Sequence, residues 1–102
     1  MTVRANAVKP ATSVVVIEDD PASADVLQRR LQANGMTVAV GRDGGEGLAL
    51  VKRIVPDLVL LDVMLPDTDG YDVCLRIKSD GNTAHIPVIR SEERRVGKEC
   101  RL

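Results

Sequence analysis

The feature that most constrains the fold is the stretch Leu58-Val59-Leu60-Leu61-Asp62-Val63-Met64-Leu65-Pro66. Four aliphatic residues run without a break into a carboxylate, and Pro66, having no N–H to donate, stops further regular pairing. A short, wholly apolar run cannot keep one face in water. It reads as a strand buried on both faces, as in a parallel sheet covered by helices. In open sheets of that kind ligands collect at the carboxyl ends of the strands. Asp62 stands at such an end and is the first candidate for chemistry.

The flanking chain supplies the rest of such a sheet. Ser13-Val14-Val15-Val16-Ile17 is a second buried-strand run and ends in Glu18-Asp19-Asp20. Asp20-Pro21 reads as an Asx cap followed by proline at the first helical position, where its missing N–H costs nothing. The helix runs to Asn34, with Ala24, Leu27 and Leu31 on one face and Asn34-Gly35 as its stop. Thr37–Val40 is a short strand. Asp43-Gly44-Gly45-Glu46 resembles a capping box and opens a helix whose inner face is Gly47, Leu48, Val51, Ile54 and Val55. After the Asp62 strand, Asp69-Gly70 starts a third helix, Tyr71–Ser79, with Val73, Cys74 and Ile77 inward. Asp80-Gly81-Asn82 is a turn, and Ile86-Pro87-Val88-Ile89 begins a fourth strand. The order βαβαβαβ with short links means an α/β fold with a parallel sheet and right-handed crossovers. Met1–Thr12 has no period and reads as a loose leader.

Composition removes several function classes. At 102 residues the chain is one domain. A net charge of −1 leaves no electrostatic footprint for nucleic acid or an anionic membrane. Tyr71 is the sole aromatic residue, so there is no platform on which bases could stack. Cys74 and Cys100 make no disulfide framework, Met1–Pro10 has no apolar signal core, and no run is long enough to span a bilayer. The chain reads as cytoplasmic.

The pattern breaks at Arg90. Arg90–Leu102 (RSEERRVGKECRL) has five basic and three acidic residues and neither a strand nor a helix face. Arg90 through Cys100 matches, without a gap, the translation of a common sequencing-library adapter. Residues 90–102 therefore read as a non-native tail, excluded from fold reasoning.

Strands one and three are neighbours in most such sheets, which places Glu18 and Asp19 beside Asp62. Three acids without a basic partner repel one another, and a divalent cation resolves the repulsion. Ligands that are all oxygen favour Mg²⁺ or Mn²⁺ over Zn²⁺. With Asp62 as nucleophile, such a site would form an aspartyl-phosphate. Asp20 is better used as a helix cap, Asp67 and Asp69 serve the loop and the next cap, His85 is an exposed loop residue, and Cys74 is core.

Val14–Asp20 (VVVIEDD), Asp62-Val63-Met64-Leu65-Pro66 followed by Asp69-Gly70, and Thr83–Ile89 (TAHIPVI) together resemble the receiver domain of two-component response regulators. The resemblance covers Ser13–Ile89. It implies a flavodoxin-like, doubly wound parallel sheet of order 2-1-3-4-5 and Mg²⁺-dependent phosphoryl transfer to Asp62. The donor it implies is a phosphohistidine on a sensor histidine kinase or a histidine phosphotransfer protein. The chain would be a phosphoryl acceptor, not an enzyme acting on a separate substrate. By position, Glu18 and Asp19 are the metal-binding acidic pair, and Met64 offers its backbone carbonyl to the ion.

Two departures stand out. The family's switch Thr or Ser at the end of strand four falls, counting from Pro87, on Glu92, with Ser91 out of register by one. The family's Lys-Pro on strand five has no counterpart, since Lys98 lies in the tail. Strand five and helices four and five are expected to be missing, which would leave one sheet face apolar and uncovered beside strands one and three. Two alternatives belong to other classes. A phosphohydrolase of the haloacid dehalogenase type needs a second aspartate where Met64 stands. A structural binding module would hold metal without useful phosphorylation. A dinucleotide-binding half is weaker, because Glu18-Asp19-Asp20-Pro21 replaces a glycine-rich loop.

Overall fold

The structure is a computed structural model. It describes residues 12–62, 65, 69–92 and 95–99, with the backbone alone described for 91, 92 and 95–99. The elements are β1 (Ser13–Ile17), α1 (Pro21–Ala33), β2 (Thr37–Gly41), α2 (Gly44–Ile54), β3 (Leu58–Asp62), α3 (Gly70–Ser79), β4 (Val88–Glu92) and β5 (Arg95–Glu99). Strand order is β2-β1-β3-β4-β5, and β1 to β4 are parallel. The expected α/β sheet is present, with the acid-bearing strands β1 and β3 adjacent at its centre.

Local chemistry sets the boundaries. Asp20 caps α1, its carboxylate accepting from the Ser23 N–H at 3.3 Å and the Ser23 hydroxyl at 2.7 Å, with Pro21 at the first helical position. At the other end Met36 N–H donates to the Leu31 carbonyl and Gly35 N–H to that of Gln32, a Schellman closure made possible by Gly35 at φ +85°. Asp43 caps α2 through the Glu46 N–H at 2.7 Å, while the Glu46 carboxylate reaches back one residue further than expected, to the Arg42 N–H. Asp69 caps α3.

The main core lies between the sheet and α2 with α3. Val15, Ile17, Val59, Leu61 and Val88 face Val51, Val73, Cys74 and Ile77 there. Val14 and Val16 alternate to the other face, which α1 covers. Ile54 and Val55 do not join the inner face of α2. The helix ends at Ile54, Val55 turns into the left-handed region at φ 48°, and both are exposed while Pro56 is buried in their place. Cys74 is buried in the core, as expected.

Two expectations at the carboxyl-terminal end are corrected. β4 does not begin at Ile86 and stop after Ile89; it starts at Val88 and continues to Glu92, into the charged run. The charged run, read as having no strand face, forms a further strand, Arg95–Glu99, antiparallel to β4 with Ile89 opposite Glu99 and Arg90 opposite Lys98. Side-chain pattern missed both because ladder bonds are made by the backbone. An exposed strand edge can pair with any nearby segment that has N–H groups to offer. This β5 is not a parallel crossover strand, and no helix follows β4 among the described residues.

Candidate functional site

The site lies at the carboxyl edge of β1 and β3. Parallel pairing sets Ile17 beside Leu61, so each strand delivers its next residue to the same edge. The Glu18 N–H donates to the Gly41 carbonyl at 2.9 Å, extending the β1–β2 ladder through the residue that carries the first acid. Behind it, α2 approaches unusually closely. A Cβ on Gly47 would lie 2.5 Å from Ile17 Cδ1, and one on Gly41 would lie 2.7 Å from Gly47 Cα. Two glycines thus let the helix seat against the strand directly before Glu18.

One carboxylate oxygen each from Glu18, Asp19 and Asp62 lie within 4.8 Å of one another. Glu18 and Asp62 are half-buried and Asp19 is exposed. Burial, then the nearby Asp62 and Asp19 carboxyls, pushes Glu18 up to about 7 from 4.5, against the opposing hydrogen bond from the Asp20 N–H. That N–H reaches Glu18 Oε2 at 3.2 Å. Asp20 itself is held below the usual carboxylate range by Ser23. It serves as a cap and contributes no ligand oxygen to the cluster, as the sequence suggested.

Met64, the expected carbonyl donor, lies outside the described residues, as do Pro66 and Asp67. Thr83 is buried, its hydroxyl donating to the Ile77 carbonyl at 2.7 Å, and Lys78 Nζ donates to the Ile86 carbonyl at 2.6 Å. These bonds fix the approach to β4. His85 is exposed. Ser91 pairs with Asp62 across the β3–β4 ladder, which sets Glu92 one residue beyond it. Sequence reasoning missed Arg90. Its guanidinium lies over the Tyr71 ring, 4.2 Å from the centroid, in the row of Leu61. A charged residue at a nominal strand-to-tail break gives no pattern from which that stacking could be read.

A parallel sheet of this order with three carboxyls gathered at the edge of two adjacent strands is the arrangement of a phosphoryl-accepting signalling domain. Residues 14–96 match the response regulator receiver domain family, and the chain belongs to it. The match runs past Ile89, where the motif resemblance ends, into the charged segment. The chain is 43% identical over 76 residues to the DNA-binding dual master transcriptional regulator RpaA of Synechocystis sp., covering 74% of this chain and 32% of that protein. It therefore spans about a third of the length of that curated relative.

Among solved structures, the N-terminal domain of a response regulator receiver protein from Methanoculleus marisnigri superposes with a TM-score of 0.75 at 35% identity, covering 78% of this chain and 64% of that one. The receiver domain of a sensor histidine kinase from Pseudomonas aeruginosa gives 0.75 at 28% identity, covering 78% and 66%; its structure has a magnesium ion coordinated in the active-site cleft. Membership of this family sets aside the dehalogenase-type and dinucleotide readings.

Proposed function

We propose that Asp62 accepts a phosphoryl group from a phosphohistidine of a sensor histidine kinase or histidine phosphotransfer protein. In this reading Glu18, Asp19, Asp62 and the Met64 backbone carbonyl hold Mg²⁺, with Mn²⁺ as a substitute. The observation that carries it is the convergence of the three carboxylate oxygens at one strand edge. An all-oxygen donor set with one exposed member suits a hard cation that keeps some of its water. When bound, the ion would neutralise charge on the transferring phosphoryl oxygens.

The chain's own part is positional. β3 presents an Asp62 oxygen to the phosphorus; an oxygen–phosphorus bond forms as the phosphorus–nitrogen bond of the donor breaks. The departing imidazole nitrogen keeps the bonding pair and takes a proton from water. Partial burial of Glu18 and Asp62 limits the water that could hydrolyse the product.

The same reading makes this chain deficient in switching. Counting from Pro87 sets Glu92 where the family carries a hydroxyl. Lys98 pairs with Arg90 on an antiparallel strand, below the carboxyl edge. Residues 90–102 are read as a non-native tail after a partial receiver domain (13–89) and a leader (1–12). Sequencing the source locus tests this: a continuous strand four with Thr or Ser, followed by Lys-Pro, is expected in place of Arg90 onward, and an unchanged sequence would overturn it.

The acceptor role is tested by incubating the protein with Mg²⁺ and acetyl phosphate and measuring intact mass. A labile phosphoryl adduct is expected, absent in Asp62→Asn. A folded wild-type protein that gains no adduct would refute it.

A further inference from the structure

The link from α1 to β2, Asn34-Gly35-Met36, carries chemistry that the acceptor reading does not use. An asparagine followed by glycine is the pair most open to attack by the backbone on its own side chain, because no Cβ on the second residue shields its nitrogen. Of the three asparagines, Asn6 precedes alanine, Asn82 precedes threonine, and Asn34 precedes glycine. Asn34 and Gly35 are both exposed, and a Cβ on Gly35 would meet nothing within 4 Å, so water reaches the pair freely.

The closed structure nevertheless holds the reacting groups apart. Asn34 Nδ2 donates to the Arg30 carbonyl at 2.8 Å, and the Gly35 N–H, whose nitrogen is the nucleophile, donates to the Gln32 carbonyl at 2.9 Å. Asn34 has ψ 15°, so the Gly35 nitrogen nearly eclipses the backbone nitrogen of Asn34 itself. Ring closure requires it to eclipse Cβ instead, roughly a third of a turn away about the Cα–C bond. Both hydrogen bonds, and that from the Met36 N–H to the Leu31 carbonyl, have to release before this rotation. They close the last turn of α1, and helix ends open at far less cost than the core.

We propose that Asn34-Gly35 is a self-modification site gated by opening of the last turn of α1. The Gly35 nitrogen bonds to Asn34 Cγ, its proton passes through water to the departing Nδ2, and ammonia leaves a cyclic imide. Water then opens the ring at either carbonyl, giving aspartate or isoaspartate. Neither product restores the closed end. Each exchanges the donor that met the Arg30 carbonyl for a carboxylate, at the helix end where unpaired carbonyls already carry negative charge. Isoaspartate also adds a backbone carbon to the link before Thr37, the β2 residue that pairs with Ser13. The reaction runs one way, and each opening that reacts leaves α1 less able to close.

The test incubates the full chain at pH 8 and 37 °C beside a synthetic peptide of residues 29–39, too short to hold a helix alone. Peptide mapping locates the exchange of NH₂ for OH, and an isoaspartyl methyltransferase labels the isoaspartate. Modification of Asn34 is expected in both, at least tenfold slower in the full chain, and in the full chain ahead of Asn82. Amide hydrogen exchange at Gly35 and Met36 should be at least fivefold faster in the modified chain, and Asn34→Asp should reproduce it. Asn34→Gln, whose longer side chain closes a ring poorly, should give no modification at this position. Should Asn34→Asp fail to fold, hydrogen exchange of the modified wild-type chain decides. A peptide that does not react, equal rates in chain and peptide, Asn82 reacting first, or unchanged exchange at Gly35 and Met36 would each overturn the proposal.

Discussion

Titrating the metal-free protein from pH 5 to 8.5 tests how the acidic edge is built. Burial and the neighbouring carboxyls hold Glu18 up to about 7, from 4.5 when unperturbed. Between those values the folded chain keeps a proton that the unfolded chain has released, so stability falls as pH rises. Below 4.5 both states hold the proton and no penalty exists; above about 7 both have lost it and the penalty is constant. A tenfold change in proton affinity corresponds to about 1.4 kcal/mol, which sets a ceiling of about 3.5 kcal/mol. Glu18 is only half-buried, and solvent screening reduces the expected loss to about 1–2 kcal/mol. For a domain of this size that is a fall in Tm of about 5–15 °C.

The proposed Mg²⁺ takes Glu18 in its deprotonated form. It should therefore raise Tm more at pH 8 than at pH 5.5, and chelation should reverse the gain. Glu18→Gln isolates the group, because an amide cannot titrate and its Tm should stay nearly flat over the same window. Thermal melts of both proteins at matched ionic strength provide the measurement. A wild-type Tm that is flat or rises with pH, or a glutamine variant that falls in parallel with wild type, would refute the reasoning.

Two further perturbations probe the scaffold. Gly47→Ala would push a methyl against Ile17 and should cost about 2 kcal/mol in urea unfolding. Ile17→Val in that background should recover part of it by removing Cδ1; a neutral Gly47→Ala would contradict the close approach. Val55→Gly should stabilise by about 1 kcal/mol, since a β-branched residue at φ 48° is strained and this one is exposed. A loss of stability in the same assay would mean that Val55 contributes packing not visible in its exposure.

How much was legible follows from which groups carry the information. The apolar runs 14–17 and 58–61, the Asp caps at 20, 43 and 69, and the Gly35 stop are side-chain signals with one physical meaning each, and the structure places them as read. Glu18, Asp19 and Asp62 could be brought together because two adjacent parallel strands each end in an acid. What escaped depends on backbone or on unpatterned neighbours. β5 pairs through main-chain groups although its sequence is charged, Ile54 and Val55 turn outward because the helix closes one residue earlier, and Arg90 stacks on an aromatic ring whose position is fixed by α3.

The acidic edge needs little of the chain. Glu18 and Asp19 follow β1, Asp62 ends β3, and these strands pair directly, with β2 and the Gly41–Gly47 approach holding α2 against Ile17. None of those contacts involves a residue beyond Asp62. On its other side β3 is held by β4, with Ser91 paired to Asp62, so the acceptor strand is flanked by parallel neighbours on both edges. The half-covered face beside Leu60 and Ile89 meets the acidic edge directly, since Glu18 and Asp62 bound the same cavity as Leu60 and Ile89.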